Sequence, residues 1–434
     1  MKTALALAIL ILAGATAATA DDARVTRTTL PNGLHVLVRE SPAAGVVAVS
    51  LLVRAGSRFE TPDNAGITNF LHRVMLRGTT RRSAVEVGTA VEDLGGSVDA
   101  SGDVEYAEVR GTALARHWEP LLGLVAEVAL QPSLPSDAVQ TERRLILSQI
   151  QTRADTPFPF ALDTLLADLY AGHPYALPAT GRRVTVARFT RDDLLAHYRI
   201  TYQPNRMVLV VSGQVVPSRV VSAAGKLFGG LHAPEGAPVA PFVSAAPSVT
   251  PAGARRVLER PAQQAQILVG FAGPSVTDAD YAAVKVLGAV LGGGMSGRFF
   301  VELRDKLGLA YSLGVVNPSR AGPAFVVGYM GTAPASVEPA EAGMLREIER
   351  IRGEPPTAEE LGRAKAYLQG TLAMDRRTNA RQAWYLAFFE LIGAGHDFPD
   401  RYTRRLGEVT AAEVQAAARR YLDRPTIVVL RPRG

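Results

Sequence analysis

Hydrophobic and polar positions along this chain follow one order of patterns, and that order occurs twice. In the first half, alternating apolar and polar residues predict strands near residues 35–39, 46–54, 97–101, 104–114 and 207–211. Apolar residues three and four positions apart predict helices near 66–77, 83–94, 117–129, 136–152, 159–171 and 190–202. Strands and helices thus alternate in blocks, which is typical of an α+β domain.

The second half repeats the succession of the first. Strands are predicted near residues 255–258, 266–271, 311–316, 324–329 and 426–430. Helices are predicted near 278–291 and 296–307, and several more helices precede the last strand. The pattern therefore predicts a second domain built like the first.

The last helix of each half begins with the same local signal. Thr190 precedes Asp193, and Thr410 precedes Glu413, so each threonine can cap a helix whose third residue is acidic. Between the halves, residues 232–252 contain five prolines among Ala, Gly and Ser, which is typical of a linker. We therefore predict two tandem homologous α+β domains, residues 24–231 and 253–434, each an antiparallel-rich sheet packed with helices.

Composition supports large cores and disfavours nucleic-acid binding. Of the 434 residues, 47% are hydrophobic, and the net charge of +6 comes almost wholly from arginine, since only five lysines occur. The arginines are scattered along the chain without aromatic interleaving, so they do not form the basic stripe of a nucleic-acid-binding protein. The chain has no cysteine and therefore no disulfide bond. An oxidising compartment permits disulfide bonds but does not require them.

Residues 1–20 have the features of a secretory signal peptide. Lys2 supplies a positive start, residues 4–13 form a short apolar run, and Ala18-Thr19-Ala20 resembles an A-x-A cleavage site. A membrane anchor is the alternative, but the apolar run is shorter than the span of about 20 residues that a bilayer requires. We expect an exported protein of the bacterial periplasm with no membrane span.

The segment G-I-T-N-F-L-H-R-V-M-L-R-G-T (residues 66–79) resembles the zinc-binding helix of the pitrilysin/insulinase peptidases, the inverzincins, which carry H-x-x-E-H. In that pattern two histidines on one helix face hold zinc, and the glutamate takes a proton from the metal-bound water. Here Asn69 stands at the first histidine, His72 at the glutamate and Arg73 at the second histidine. An amide is a poor zinc ligand, and a guanidinium repels a dication.

The family's third zinc ligand is a glutamate in a stretch resembling E-R-x-x-x-L-E-E-I, and this chain has E-R-R-L-I-L-S-Q-I at residues 142–150. The paired acids are replaced by Ser148 and Gln149. Because two distant segments have lost the same site, we expect no zinc in this chain. The plainer interpretation of the first segment is an amphipathic core helix, with Arg73 paired to an acid such as Glu142.

The resemblance extends over nearly the whole chain. T-L-P-N-G-L (residues 29–34), H-P-Y (173–175) before Gly181, and Y-Q-P-N (202–205) match family motifs in order, and the most specific match is L-G-G-G-M-S-G-R (291–298) with L-R-D-K-L-G-L-A-Y (303–311). In the two-domain branch, a non-catalytic chain that lacks H-x-x-E-H pairs with a catalytic one and supplies an Arg and a Tyr. Arg304 and Tyr311 match that pair, so the resemblance implies that they bind substrate in the partner's active site.

Both features of the second half have plainer interpretations. Arg304 could pair with Glu302 or Asp305, and Tyr311 could be an ordinary strand residue. Gly292, Gly293 and Gly294 lack the spacing of a phosphate-binding loop and follow a helix, so they are expected to end that helix and form a turn. In the family this loop lies near the peptide path, which implies that its backbone amides can contact an extended substrate.

The sequence therefore predicts a non-catalytic, substrate-binding subunit of a heterodimeric periplasmic zinc metallopeptidase. Zinc is expected only in the partner, a homologue with H-x-x-E-H, and the chain is expected to be inactive alone. Three alternatives stay open: a structural protein derived from the peptidase fold, an independent peptide-binding module, and an enzyme with rebuilt chemistry. No nucleophile–base pattern favours the last of these.

Overall fold

The computed structural model describes residues 24–42, 45–232 and 253–433. The predicted signal peptide and, apart from residue 232, the predicted linker lie outside the described residues. Among those described, no helix is both long enough and apolar enough to cross a membrane.

The first sheet has six strands in the order β1-β2-β6-β3-β5-β4. The strands are β1 (Val25–Thr29), β2 (His35–Glu40), β3 (Val46–Val53), β4 (Ser97–Gly102), β5 (Ala107–Leu114) and β6 (Met207–Gly213). All neighbours are antiparallel except β2 and β6. The helices of this half are α1 (Ile67–Met75), α2 (Ala84–Asp93), α3 (Trp118–Leu130), α4 (Ser136–Asp155), α5 (Pro157–Leu169), α6 (Arg183–Arg188), α7 (Arg191–Thr201) and α8 (Pro217–Phe228).

The second sheet has five strands in the order β7-β11-β8-β10-β9. They are β7 (Arg255–Arg260), β8 (Ala265–Ala272), β9 (Ser312–Val316), β10 (Phe325–Thr332) and β11 (Thr426–Pro432). The helices are α9 (Tyr281–Gly292), a π-helical segment (Phe299–Lys306), α10 (Val337–Gly353), α11 (Ala358–Asp375), α12 (Asn379–Leu391), α13 (Phe398–Glu408) and α14 (Ala411–Tyr421). Apart from the additional β1, the strand order and the single parallel pair repeat those of the first sheet.

The repeat makes the elements of the two halves correspond. Strands β2, β6, β3, β5 and β4 take the places of β7, β11, β8, β10 and β9. By chain order, α1 then corresponds to α9, α4 to α11 and α5 to α12. The expected α+β fold of two tandem homologous domains is confirmed, and threonine caps Thr190 and Thr410 both form the predicted capping boxes.

One helix of each half packs on the sheet of the other half. Helix α5 packs on β8 and β11, and Leu165 of α5 lies so near Gly270 that an added Cβ there would come within 2.5 Å of it. Helix α12 packs on β3 and β6, where Phe389 shares a buried cluster with Leu37 and Val208. Every sheet is therefore covered on one face by its own helices and on the other by a helix from the opposite half.

Polar contacts reinforce this exchange. The carboxylate of Glu390 on α12 accepts hydrogen bonds from Arg27 at 2.8 Å and pairs with His35 at 3.0 Å. In a second contact between the halves, the carboxylate of Glu105 in the first half accepts a hydrogen bond from the backbone N–H of Ala321 in the second half at 3.0 Å. Since both carboxylates are buried, the pairing fixes the relative position of the two halves.

Several elements differ from the sequence-based expectation. Strand β1 and helices α6 and α8 were not predicted, although Pro217 at the first turn of α8 is a start signal. The helix expected over 296–307 is shorter and π-helical, and the strand expected from Tyr311 begins at Ser312. The ends of the other elements shift by a few residues, as helix and strand boundaries commonly do.

Candidate functional site

Helix α1 is fixed at its start by a buried acid. Gly66 precedes the helix with a φ of 92°, a conformation that favours glycine, and the carboxylate of Glu60 accepts the backbone N–H groups of Gly66 at 2.7 Å and Thr68 at 2.9 Å. Burial raises the pKa of Glu60. Because Phe70, Leu71, Val74 and Met75 point into the core, the helix turns its Asn69 and Arg73 face towards α4.

Two of the three positions at which the resemblance places zinc ligands, Arg73 and Gln149, belong to a cluster of ion pairs and hydrogen bonds. The guanidinium of Arg73 donates to the carboxylate of Glu142 at 2.7 Å and to the side-chain oxygen of Gln149 at 3.3 Å. Arg77, in the turn that follows the end of α1, donates to the other oxygen of Glu142 at 2.7 Å. The sequence-based interpretation that Arg73 pairs with Glu142 is confirmed. Two residues far apart in sequence, Arg73 and Gln149, are thus adjacent in space.

This donor set does not fit zinc. Arg73 places a permanent positive charge between α1 and α4, and both oxygens of Glu142 are already engaged by arginines. The amide nitrogen of Asn69 is buried without a hydrogen-bond partner among the described residues, and an amide nitrogen cannot ligate a metal. Within the described ranges, no group of three or more His, Asp or Glu residues has an arrangement that could hold a metal ion.

His72 points away from that cluster into the core. Its Nδ1 lies 2.7 Å from the carbonyl oxygen of Thr68, and its Nε2 lies 2.7 Å from the hydroxyl of Tyr202. A carbonyl only accepts, so Nδ1 carries the proton and Nε2 accepts from Tyr202. Burial lowers the pKa of His72 to about 4, which keeps the imidazole neutral. Both ring nitrogens are in use, so His72 acts as a hydrogen-bonded core residue.

Arg304 and Tyr311 lie together on the surface of the second half. The guanidinium of Arg304 donates to the backbone oxygen of Tyr311 at 3.3 Å and lies over the ring of Phe300 at 4.7 Å from its centroid. Tyr311 is 77% exposed. Among the described residues Arg304 has no carboxylate partner, since Glu302 pairs with Lys306 and Arg350 instead. The alternative that Arg304 is held by Glu302 is therefore wrong for this structure.

The three glycines end helix α9 as expected. A Cβ at Gly292 would meet the backbone nitrogen of Val315 at 2.7 Å, so only glycine lets the helix end approach β9 this closely. Gly293 follows the last residue of the helix, and Gly294 has a φ of 66°, in the left-handed region that glycine favours. Packing alone thus explains the sequence of this turn. The adjacent side chain of Met295 is 78% exposed.

The structure brings Arg73 together with Gln149, and Arg304 together with Tyr311, whereas no hydrogen bond or ion pair joins the two groups within the described ranges. Sequence reasoning missed two contributors to the first group: Glu60, which fixes the start of α1, and Arg77. The i, i+4 spacing of Arg73 and Arg77 was the available signal for the second, because such residues share a helix face.

Comparison with known proteins gives consistent matches over most of the chain. The model of the insulinase family (peptidase family M16) matches residues 35–182, and the model described as the peptidase M16 inactive domain matches residues 188–368. An uncharacterized zinc protease of Mycobacterium tuberculosis is 32% identical over 94% of this chain and 93% of that protein. One of Streptomyces coelicolor is 29% identical over 94% and 90%.

Solved structures share the fold. A protein from Pseudomonas fluorescens, described as a peptidase M16 inactive domain, superimposes with a TM-score of 0.86 at 22% identity, covering 94% of this chain and 98% of its own. A protease from Helicobacter pylori gives a TM-score of 0.86 at 21% identity, covering 94% and 100%.

Proposed function

The chain belongs to the insulinase family of peptidases (peptidase family M16), and we propose that it is the non-catalytic, substrate-binding subunit of a heterodimeric zinc metallopeptidase in the periplasm. The catalytic subunit would be a homologue that retains H-x-x-E-H and carries the zinc. Within this assembly the present chain contributes binding and orientation of a peptide, and its own metal-site positions contribute no chemistry.

The ion pairs of Arg73 carry this proposal. Its guanidinium occupies the face where the family's catalytic chains hold zinc, and it is fixed there by Glu142 and Gln149. A site held by charge-assisted hydrogen bonds does not rearrange at low cost to accept a dication. The relatives from Mycobacterium tuberculosis and Streptomyces coelicolor are described as zinc proteases, whereas the side chains of Asn69, Arg73 and Gln149 in this chain do not suit zinc.

The second support is the exposed pair Arg304 and Tyr311. When a peptide carbonyl is attacked, negative charge develops on its oxygen, and a guanidinium or a phenol hydroxyl can donate a hydrogen bond to that oxygen. Neither residue's donor is engaged with an acid among the described residues. Since the described part of this chain holds no set of metal ligands, we infer that Arg304 and Tyr311 face the active site of the partner.

Large apolar side chains are exposed on the segments that carry and precede this pair. Met295 is 78% exposed, Leu307 is 54% exposed, and Tyr311 is 77% exposed. Apolar side chains exposed on neighbouring segments can mark a surface that a partner or a substrate covers. We therefore place the contact with the partner or its bound peptide on this surface. The signal peptide predicted for residues 1–20 supports the periplasmic assignment.

Co-expression with a homologue that bears H-x-x-E-H, ideally from a neighbouring reading frame, tests the proposal. We expect the two chains to elute together in size-exclusion chromatography and the mixture to hydrolyse peptides faster than the homologue alone. The isolated homologue is the control. Separate elution, together with full activity of the homologue alone, would reject the heterodimer and favour a structural or independent peptide-binding protein.

A further inference from the structure

A cavity of about 430 Å³ lies in the second half between α9, β9 and α11, with α12 and α13 closing its far side. Helices α9 and α11 correspond to α1 and α4, so the cavity takes the position that the Arg73 cluster fills in the first half. It exists because α9 presents Gly288, Ala289 and Gly292 there, where α1 presents larger side chains. Its volume is within the range of small-molecule sites.

One basic side chain stands in this cavity. The ammonium of Lys285 donates to the backbone oxygen of Asn317 and lies 5.2 Å from the centroid of the Tyr281 ring. Among the described residues no carboxylate lies within 4.0 Å of it. An ammonium has three hydrogens to donate, and a buried cation without an anion is unfavourable. Lys285 therefore has both donor capacity and charge available for a ligand.

A second donor lines the same cavity. The side-chain nitrogen of Asn317 is buried and has no hydrogen-bond partner among the described residues. A Cβ added to Gly288 would lie 3.9 Å from this nitrogen, which places the amide over the floor of the cavity. The carboxylate of Asp375 also lines the cavity, but Arg381 donates to both of its oxygens, at 3.0 and 2.6 Å, and Tyr385 donates to one of them at 2.8 Å.

The remaining walls are mainly apolar. Val315, Leu368, Leu372 and Phe389 line the cavity around the two donors. Two donors in one cavity, one of them cationic, suit the two oxygens of a carboxylate, and the apolar walls suit a hydrocarbon body attached to it. We propose that this cavity binds a carboxylate carried on an apolar group, either a small carboxylic acid or the C-terminal residue of a peptide.

Burial, followed by the charge of Arg320, lowers the pKa of Lys285 to about 7. A bound carboxylate stabilises the ammonium and therefore raises this pKa. The titratable or charged groups that face Lys285 or line the cavity with it are Tyr281, Arg320, Tyr367, Asp375, Tyr385 and Tyr402. This site needs neither a partner chain nor peptidase activity, so it stands or falls independently of the proposed function.

Calorimetric titration of the full chain tests the site with four probes: phenylacetate, N-acetyl-leucine, an acetylated hexapeptide ending in Leu, and the C-terminal amide of that hexapeptide. We expect the acids to bind and the amide to bind about tenfold or more weakly, because a charge-assisted hydrogen bond is lost. Binding of all three acids indicates a general carboxylate site, and binding of the peptide acid alone indicates a peptide terminus. Equal binding of acid and amide would overturn the proposal.

Two variants and one control locate the binding. Lys285→Met removes the charge at similar volume, and Gly288→Leu fills the cavity while Lys285 stays; each should weaken acid binding by about tenfold or more. Lys365→Met is the matched control, since Lys365 also donates to a backbone oxygen, that of Gly407 at 2.8 Å, outside the cavity. Acid binding that survives both cavity variants, or no acid binding by the folded wild type, would reject the site.

An independent readout covers the case in which a variant does not fold. The chain has only five lysines, so labelling with ¹³C at the ε position gives few resonances. In the wild type one of them should titrate near neutral pH, and phenylacetate should shift that midpoint upward. A midpoint that does not move at saturating acid would contradict binding at Lys285.

Discussion

The indole nitrogen of Trp384 on α12 donates a hydrogen bond to the hydroxyl of Tyr106 at 2.9 Å, across 278 residues of sequence. The same indole stacks on Phe388 with ring centroids 4.8 Å apart. This contact joins α12, which belongs to the second half, to the loop that precedes β5 in the first half. The two halves are therefore expected to unfold together.

Trp384→Ala should lower the free energy of unfolding by about 3 kcal/mol, because it removes both the ring packing and the hydrogen bond. Trp384→Phe is the control, since it keeps an aromatic ring against Phe388 and should cost about 1 kcal/mol. Denaturant unfolding followed by circular dichroism measures both. Two separate transitions in the wild type would contradict the coupling.

Residues 24–232 expressed alone should be insoluble or unfolded. Without α12, the face of the first sheet that carries Leu37, Leu52 and Val208 is exposed, although these residues are fully buried in the whole chain. Solubility and near-ultraviolet circular dichroism check this expectation, with the whole chain as the reference. A soluble half with a cooperative transition would show that the exchanged helix is dispensable.

Removing both arginines from Glu142 should destabilise the protein far more than removing one. Arg73→Met leaves the contact of Arg77 with Glu142. The double variant Arg73→Met, Arg77→Met leaves the buried carboxylate of Glu142 unpaired, at a cost of roughly 3–5 kcal/mol. Adding Glu142→Gln to the double variant should restore part of that loss, because the buried charge is removed. Additive effects of the two single substitutions would argue against a shared partner.

Stability should fall as the pH decreases from about 6.5 to about 4. The folded state holds His72 with a pKa of about 4, below the value near 6.5 of an unfolded chain, so the unfolded state binds the proton first. The full contribution is present above pH 6.5, and about 3 kcal/mol is lost by pH 4. Burial also lowers the pKa of His197 to about 4, so this residue likewise lowers stability as the pH falls.

His72→Gln should reduce this pH dependence, measured as unfolding free energy at a series of pH values. Tyr202→Phe is the matched control, because it removes the hydrogen bond to Nε2 of His72 but keeps the imidazole. The free energy of unfolding should fall by about 1 kcal/mol, and its dependence on pH should stay the same. An unchanged slope in His72→Gln would assign the pH dependence to other groups.

The purified, dialysed chain should contain no stoichiometric zinc by elemental analysis. The variant Asn69→His, Arg73→His, Gln149→Glu restores the ligand types of the family at positions whose side chains are neighbours here, and it should gain metal. One tightly held zinc in the wild type, lost on substitution of His72, would overturn the interpretation of the site.

In the complex with a catalytic homologue, Arg304→Ala or Tyr311→Phe should reduce peptidase activity on the order of 10²-fold, mainly in kcat, with the heterodimer intact. Lys306→Ala is the control, since Lys306 lies on the same segment but pairs with Glu302. A rise in KM alone would indicate ground-state peptide binding. Activity within about twofold of the wild type would show that neither side chain acts on the substrate and that both residues are structural.

Local signals made much of this site predictable. The substitutions at Asn69, Arg73 and Gln149 are legible because a helix face and a motif depend on residues at fixed spacing. The partner of Arg73 could be named for the same reason. In contrast, nothing local indicates that His72 turns inward to Tyr202, because the rotation of α1 is set by the packing of its apolar face.

Lys285 illustrates the limit of reading a sequence. It is one of five lysines and stands in an otherwise apolar helix, which was a signal, but its cavity exists only because α11 and β9 pack beside Gly288. A cavity is a property of several elements at once, so no segment of the sequence specifies it alone.

The sequence by itself determined the duplicated α+β pattern, the loss of the family's zinc ligands and the placing of Arg304 near Tyr311, since each depends on periodicity or short spacing. Only the tertiary structure decided that α5 and α12 exchange between the halves. The apolar periodicity of each segment predicts a helix but does not specify which sheet it covers. The choice rests on long-range complementarity, such as the close approach of Leu165 to Gly270, which no local pattern encodes.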